Sequence, residues 1–413
     1  MSRLKKIKVD ELQIGMFFCG FDASSWIDHP FWKSKFLIKE SAHVQLARSS
    51  GIVYCWIDID KGDDVAPPPE AEAEDADREE LVDAFPSPAM EETVAPDFDQ
   101  FADDIGQAQL LCESAKTATT IMFNEIRLGK AVNMEHCLPL VDQITASVMQ
   151  NSSALISVVR LKISDDYTYM HSVAVCALMI ALGRTLGMDE VACKEAGLAG
   201  LLHDIGKSFI PLGLLNKPSA LTPMEYEIVQ RHTSLGYTYL TKDAAIPSYA
   251  SEVVLHHHEK IDGTGYPDQL SGSGISMLSR MTAICDVYDA VTSDRPYKKG
   301  WDPADALAKM ANWRGHFDRA MFSAFVKTLG IYPIGSLVKM QSGRMGLVVR
   351  QNADVLTKPV VKTFLPDENG EIIDTQMLDL AAPDVTDSIL QRGGEDWLKF
   401  NNLDQLWLQA RQG

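Results

Sequence analysis

The sequence predicts a mainly α protein: one large all-helical domain, a small β-rich N-terminal domain and a short β-rich C-terminal extension. Three observations carry that prediction. Apolar residues recur at three- and four-residue spacing from Ile105 to about Gly330, with capping signals at the starts. Short aromatic and β-branched runs separated by turn residues occupy both ends of the chain. Residues 62–104 hold sixteen acids against one base, Arg78, a net of −15 in a chain of formal net charge −19.

The elements follow in order. In residues 1–61, "GMFFCGF" (15–21), "KFLIK" (35–39) and "IVYCWIDI" (52–59) read as strands of a small domain without a catalytic constellation, which suits a regulatory role. His29 and His43 read there as surface or packing residues. The Pro-, Ala-, Glu- and Asp-rich segment 62–104 reads as an extended, self-repelling linker. The helical domain spans 105–330. Ile105, Ala108, Leu111, Cys112, Ala115, Ala118, Met122 and Ile126 mark its first helix, and a second runs from about Leu138 to Leu161. A third begins near His171 and stops at Gly187, a suitable glycine just past a helix end. In "EVACKEAGLAGLLHDIG", Gly206 is expected to break the helix. Thr222, Pro223 and Glu225 form a capping box with a proline start. "MLSRMTAICDVYDAVTS" is helical again, Asp302-Pro303 opens another helix, and a last one follows Asp318. From 331 to 413 the texture turns to strand in "GSLVKM", "MGLVVR", "PVVKTF" and "EIIDTQML", with "QSGR" and "DENG" as turns.

Composition excludes several classes. Hydrophobic residues make up 46% of 413, enough for real cores. No run of about 18 apolar residues exists, so no membrane span is expected. The N-terminus lacks the apolar region of a signal peptide. Seven scattered cysteines form no C-x-x-C pair, which speaks against a thiolate zinc site and for a reducing cytoplasm. No basic stripe is present to track a nucleic-acid polymer.

Six of the ten histidines fall between His171 and His258. In "LLHDIGK", His203 and Asp204 are adjacent. One carboxylate can bridge two cations while the neighbouring imidazole holds one of them. An isolated His-Asp pair is more often an ordinary helix cap. This pair is followed by "VVLHHHEKIDGTGYP" (253–267), three consecutive histidines running into a glycine-rich turn. Imidazole and carboxylate without thiolate suit iron, manganese, nickel or zinc.

The region resembles the HD superfamily of metal-dependent phosphohydrolases, and within it the HD-GYP branch. The resemblance rests on "HDIGK" (203–207), "HHEKIDGTGYP" (257–267) and "DVYDAVTSDRPYKK" (286–299), with "YTYMHS" (167–172) and "RHTSLGY" (231–237) in the right order. It covers roughly residues 105–330. "LKKIKVDELQIGMFF" resembles the small domain of unknown function often found ahead of HD-GYP domains. The resemblance implies an all-helical HD-type metallohydrolase domain that hydrolyses cyclic di-GMP with clustered metals. Carried over residue by residue, His171, His203, Asp204 and Asp286 would hold one ion. Asp204, His232, His257 and His258 would hold the other, with Asp204 bridging. The expected cofactors are two divalent transition-metal ions: iron, manganese or nickel, with zinc also compatible.

The same resemblance makes Asp204 and Lys207 the catalytic residues. Two cations roughly 3.5–4 Å apart can bring together a phosphodiester and hydroxide, and Lys207 is placed to stabilise the developing charge. Gly263, Gly265 and Tyr266 would line the substrate pocket, the glycines through positive φ and close approach. Arg295 and Lys298 would meet phosphates or guanine edges. Asp289 shares a helix face with Asp286 and either orients a ligand or meets the base. His256 is expected to pack or cap locally, and His136 and His316 to be structural. Where the family holds a third metal, a glutamate stands four residues before the first histidine ligand; here that position is Tyr167. A phenol is a poor ligand, so two metals and linear pGpG as the main product are expected, with slow conversion to GMP. Such an activity would lower second-messenger levels and influence biofilm, motility and virulence. Diguanylate-cyclase-type (GGDEF) partners at the GYP turn and a homodimer are compatible with the reading. The alternatives are an HD-type hydrolase of another nucleotide, which "GTGYP" and "DRPYKK" disfavour, and a non-catalytic binding module, which would have lost a ligand.

Overall fold

A computed structural model describes residues 4–21, 36–38, 44, 48, 54–63, 98–160, 167–217, 219, 221–294, 299–352, 355–366 and 372–393. His29, His43, Arg295, Lys298 and the "DENG" turn lie outside them. The chain divides into two compact units, Met1–Phe98 and Asp99–Gly413.

The first unit is an antiparallel sheet ordered β1-β4-β2-β3: β1 (Leu4–Lys8), β2 (Phe17–Phe21), β3 (Phe36–Leu37) and β4 (Tyr54–Asp58). Ile7, Val9, Leu12, Met16, Phe18, Ile38, Cys55 and Ile57 form its core. Strand β1, "LKKIK", was not expected. Its apolar residues are three apart, off the strand period of two, and the pairing of Lys5 with Ile57 and Ile7 with Cys55 supplies what the pattern lacks.

In the second unit α1 (Phe98–Arg127) starts inside the acidic segment, ahead of residue 105. Asp104, one of the sixteen acids, is buried and accepts hydrogen bonds from Gln150 Nε2 (3.0 Å) and Asn151 Nδ2 (2.8 Å). Asn151 sits at a kink in α2 (Met134–Arg160), with φ −153°. Helix α3 (Tyr167–Thr185) is buried on every face from His171 to Gly183, the mark of a helix at the centre of a core. Helix α4 (Glu190–Leu202) starts at Asp189, whose side chain accepts from Ala192 N at 2.8 Å. There follow α5 (Leu212–Leu215), α6 (Pro223–Gln230), α7 (His232–Leu240), α8 (Ser248–His256), α9 (Met277–Thr292), α10 (Pro303–Ala311) and α11 (Arg319–Leu329). The capping box at Thr222 forms as read: Thr222 N donates to Glu225 Oε2 at 2.7 Å. Gly187 (φ +77°) and Gly330 (φ +83°) take the left-handed conformations that end helices.

One prediction of a helix end fails. Gly206 does not break α4, which stops at Leu202; a tight turn, Ile205–Phe209, follows. Gly206 is a contact residue instead, because a Cβ there would lie 1.8 Å from the carbonyl oxygen of His232.

The C-terminal part is an antiparallel sheet ordered β8-β7-β6-β5-β9: β5 (Leu337–Met340), β6 (Met345–Arg350), β7 (Val360–Pro366), β8 (Ile372–Asp379) and β9 (Ile389–Arg392). The short β9 was not expected. Leu337, Leu347, Val349, Val360 and Phe364 pack against Ile105 of α1 and Ala154 of α2, so the sheet shares a core with the helices. Asp302 ties the two together. Its buried carboxylate caps α10 at Ala304 N (2.9 Å) and Asp305 N (3.2 Å) and also accepts from Leu337 N at 2.9 Å. Asp302→Ala is therefore expected to cost about 1–3 kcal/mol, more than an exposed cap, because a buried strand N–H is also left unpaired. Calorimetry of the full chain should show the second unit melting several degrees lower; an unchanged melting temperature would refute the tie.

Candidate metal centre

Five elements converge on one buried cluster. Helix α3 contributes His171. The end of α4 and the turn after it contribute His203, Asp204 and Lys207. Helix α7 opens with His232, the chain leaving α8 carries His257 and His258, and α9 carries Asp286 and Asp289. Donor atoms of His171, His203 and Asp286 lie within 4.8 Å of one another, and so do those of Asp204, His232, His257 and His258. Asp204 faces both groups. Its Oδ2 is 3.5 Å from His171 Nε2 and 3.3 Å from His203 Nε2; its Oδ1 is 3.4 Å from His232 Nε2 and 3.8 Å from His257 Nε2. Asp286 also spans the groups, with Oδ1 2.9 Å from His171 Nε2 and Oδ2 3.7 Å from His258 Nδ1.

Three of the imidazoles are held on the far side by a backbone carbonyl three or four residues earlier in the chain. His203 Nδ1 donates to Gly200 O (2.8 Å), His232 Nδ1 to Val229 O (2.7 Å), and His257 Nδ1 to Val253 O (3.1 Å). A carbonyl can only accept, so each Nδ1 carries the proton and each Nε2 presents its lone pair to the centre. His171 Nδ1 faces Asp289 Oδ2 at 2.6 Å. Asp289 is buried and stands behind the His171 ring.

The donor set fits divalent cations. His203 Nε2 and Asp204 Oδ1 are buried with no hydrogen-bond partner among the described residues, a costly state for polar atoms without another neighbour to satisfy them. Burial pushes the imidazolium pKa of His232 down to about 4 and of His258 down to about 3, and holds His257 well below the usual range. Protons therefore do not compete for these lone pairs at neutral pH. Burial opposes the ionisation of Asp204, but Lys207 and the surrounding imidazoles outweigh it and hold its carboxyl well below the usual range. Lys207 Nζ forms an ion pair with Asp204 Oδ2.

The glycine-rich turn packs on this cluster. Tyr266 lays its ring over His258, centroids 4.8 Å apart at 31°, and its N–H donates to His258 O at 3.2 Å. Gly263 has φ +80°. Gly265 departs from the expectation of positive φ: a Cβ there would lie 2.4 Å from Glu259 Cα and Lys260 N, so it permits backbone to cross backbone. One residue that braces the turn escaped the sequence reading. Glu259 is buried and accepts from Asp268 N (2.7 Å) and Leu270 N (3.1 Å). His256 meets Asp268 Oδ2 at 3.0 Å, so it braces the turn instead of serving the centre. An acid directly behind two ligand-type histidines, ahead of a glycine-rich turn, is the signal that could have found Glu259.

The described cysteines, at 55, 112, 137, 176, 193 and 285, are buried and form no disulfide with one another. Among the described residues no helix is long and apolar enough to cross a membrane.

Comparison with known proteins returns the same picture. Residues 147–321 match the HD domain family, and residues 4–137 match a domain of unknown function (DUF3391). A curated relative from Pseudomonas aeruginosa, named cyclic di-GMP phosphodiesterase PA4108, is 48% identical over 408 residues, 98% of this chain and 95% of its own length. A cyclic di-GMP phosphodiesterase from Thermotoga maritima is 36% identical over 165 residues, 40% of this chain and 45% of its own length. A 3'3'-cGAMP-specific phosphodiesterase from Vibrio cholerae is 38% identical over 164 residues, 39% of this chain and 38% of its own length.

Proposed function

This chain belongs to the HD-GYP family of metal-dependent phosphodiesterases, and from that premise we propose that it hydrolyses cyclic di-GMP to linear pGpG at the His/Asp cluster. The observation that carries the reading is Asp204, buried, with one oxygen turned to each of two adjoining ligand groups. His171, His203 and Asp286 would hold one ion and His232, His257 and His258 the other, Asp204 serving both. Iron, manganese or nickel suits the donors best, and zinc is compatible. When bound, such a pair supplies an acidified water and Lewis acidity toward a phosphoryl oxygen. The chain's own residues do the rest. Carbonyls of Gly200, Val229 and Val253, and the Asp289 carboxylate, fix the imidazoles. Lys207 offers a cation to the phosphate as charge develops. Gly263 and Tyr266 would shape the pocket wall, with Gly265 holding them against the ligands. Arg295 and Lys298 stand as proposed substrate contacts. We place the protein in the cytoplasm; diguanylate-cyclase-type partners at the turn and a homodimer remain compatible with the reading.

The test is incubation of metal-loaded full-length protein with cyclic di-GMP and, separately, with 3'3'-cGAMP, products being followed by chromatography. Cyclic di-GMP should be consumed faster, pGpG should accumulate, and elemental analysis should give two transition metals per chain, since Tyr167 replaces the carboxylate of a third site. Preference for 3'3'-cGAMP would move the substrate. Three tightly bound metals, or full conversion to GMP with no pGpG, would refute the two-metal reading.

A further inference from the structure

Among the described residues, His316 is a histidine near the cluster that the ligand set and its braces leave unused. It lies in the turn between α10 and α11, and that turn is bound to the loop carrying the glycine-tyrosine-proline segment. Ile261 N donates to His316 O at 3.3 Å and Asp262 N to Gly315 O at 2.9 Å, three and four residues beyond the ligand-type His258. Its ring belongs to a flat aromatic group. Trp313 and His316 are stacked with centroids 5.3 Å apart at 23°, His316 and Phe317 at 4.3 Å and 25°, and Trp313 and Phe317 at 6.0 Å and 28°. Phe317 is buried and stacks on Phe322 at 5.8 Å and 9°, which anchors the group to the core of the second unit. Trp313 and His316 are half-buried, so part of the group reaches solvent.

We propose that the Trp313–His316 pair is a stacking platform for one base of the substrate, and that His316 is a substrate-binding residue beside the metal centre. The inference rests on the cyclic di-GMP reading. A cyclic dinucleotide whose scissile phosphate meets the cluster must lay its base about one sugar away, and the platform stands beside the loop that follows His258. Rigid rings with near-parallel planes are what a purine face needs, and stacking does not depend on reading a base edge. Burial, with Lys260 and His258 nearby, pushes the imidazolium pKa of His316 down to about 3, so the ring is neutral at working pH. A neutral ring joins the stack without the desolvation that a buried cation would demand.

Steady-state kinetics on cyclic di-GMP with full-length, metal-loaded His316→Ala and His316→Phe, each assayed also for metal content, test the platform. His316→Ala should raise KM on the order of 10-fold while kcat falls far less and two metals remain. His316→Phe, which keeps a ring, should recover most of the affinity. An unchanged KM in His316→Ala overturns the platform, as does a loss carried by kcat together with lost metal, which would make the turn only a brace for the loop. Failure of His316→Phe to recover affinity, with metal retained, overturns stacking. Wild-type protein that holds two metals yet leaves cyclic di-GMP intact overturns the functional reading, and the platform with it.

Discussion

Asp204→Ala is expected to reduce turnover on the order of 10³-fold or more and to lower metal content in both ligand groups at once. The second half of that expectation is the discriminating one. His232 and His257 lie within 4 Å of Oδ1 of this carboxylate, and His171 and His203 within 4 Å of Oδ2, so removing the carboxylate withdraws a donor from each group. Removing His232 withdraws a donor from one group alone, and His232→Ala should keep the other ion. Lys207 would lose its ion-pair partner, which further disorders the groups around the phosphate. The fold should survive, because Asp204 makes no helix cap and the core around it is built from α3, α4 and α8 side chains. Metal analysis and kinetics on the same preparation decide the matter. Near-normal hydrolysis by fully metallated Asp204→Ala protein would overturn the site assignment.

Local chemistry was legible in the sequence, and convergence was not. Thr222-Pro223 with Glu225, Asp302-Pro303 and Asp318 announce helix starts within four residues, and each cap is present. The mainly helical class with sheet at both ends follows from the same period and turn signals. Strand β1 was missed because its lysines hide a pairing that only β4 reveals. Helix α1 was started too late because its first turns carry acids counted with the linker, although Asp104 is tied to α2. The ligand types were readable from order and spacing. Which nitrogen each histidine presents was not, because that depends on the carbonyl behind each ring. Asp289 reaches His171 across 118 residues of chain, and no local signal chooses between that contact and a substrate. Both glycines that pack against the ligand-bearing segments, Gly206 and Gly265, look like turn residues in sequence. Each is required by an approach of backbone to backbone that exists only in three dimensions.

Gly206→Ala should be the most damaging substitution outside the ligand set. The turn Ile205–Phe209, which follows Asp204 and carries Lys207, crosses α7 at this residue. A Cβ on Gly206 would lie 1.8 Å from His232 O, 2.7 Å from His232 C and 2.8 Å from Gly236 N. All three are backbone atoms of a helix and cannot swing aside, so the turn and α7 must separate. Asp204 and His232 ride on the two sides of that crossing, with Oδ1 and Nε2 3.4 Å apart. Overpacking of this kind costs about 1–3 kcal/mol, sometimes more. A displacement of about 1 Å in a catalytic constellation costs on the order of 10²-fold in rate. Gly206→Ala should therefore lose that factor in kcat and bind the ion facing His232 more weakly, although no ligand has been removed. Gly236→Ala should be milder, because the nearest obstacle to its Cβ is a side-chain methyl of Val254 at 2.6 Å and the Gly206 backbone stands 3.1 Å away. Gly213→Ala is the control, since nothing lies within 4 Å of its Cβ position. Thermal unfolding, metal content and kinetics of the three variants should rank them in that order. Gly206→Ala protein with full metal and wild-type turnover would show that the crossing does not set the distance between the ligand groups.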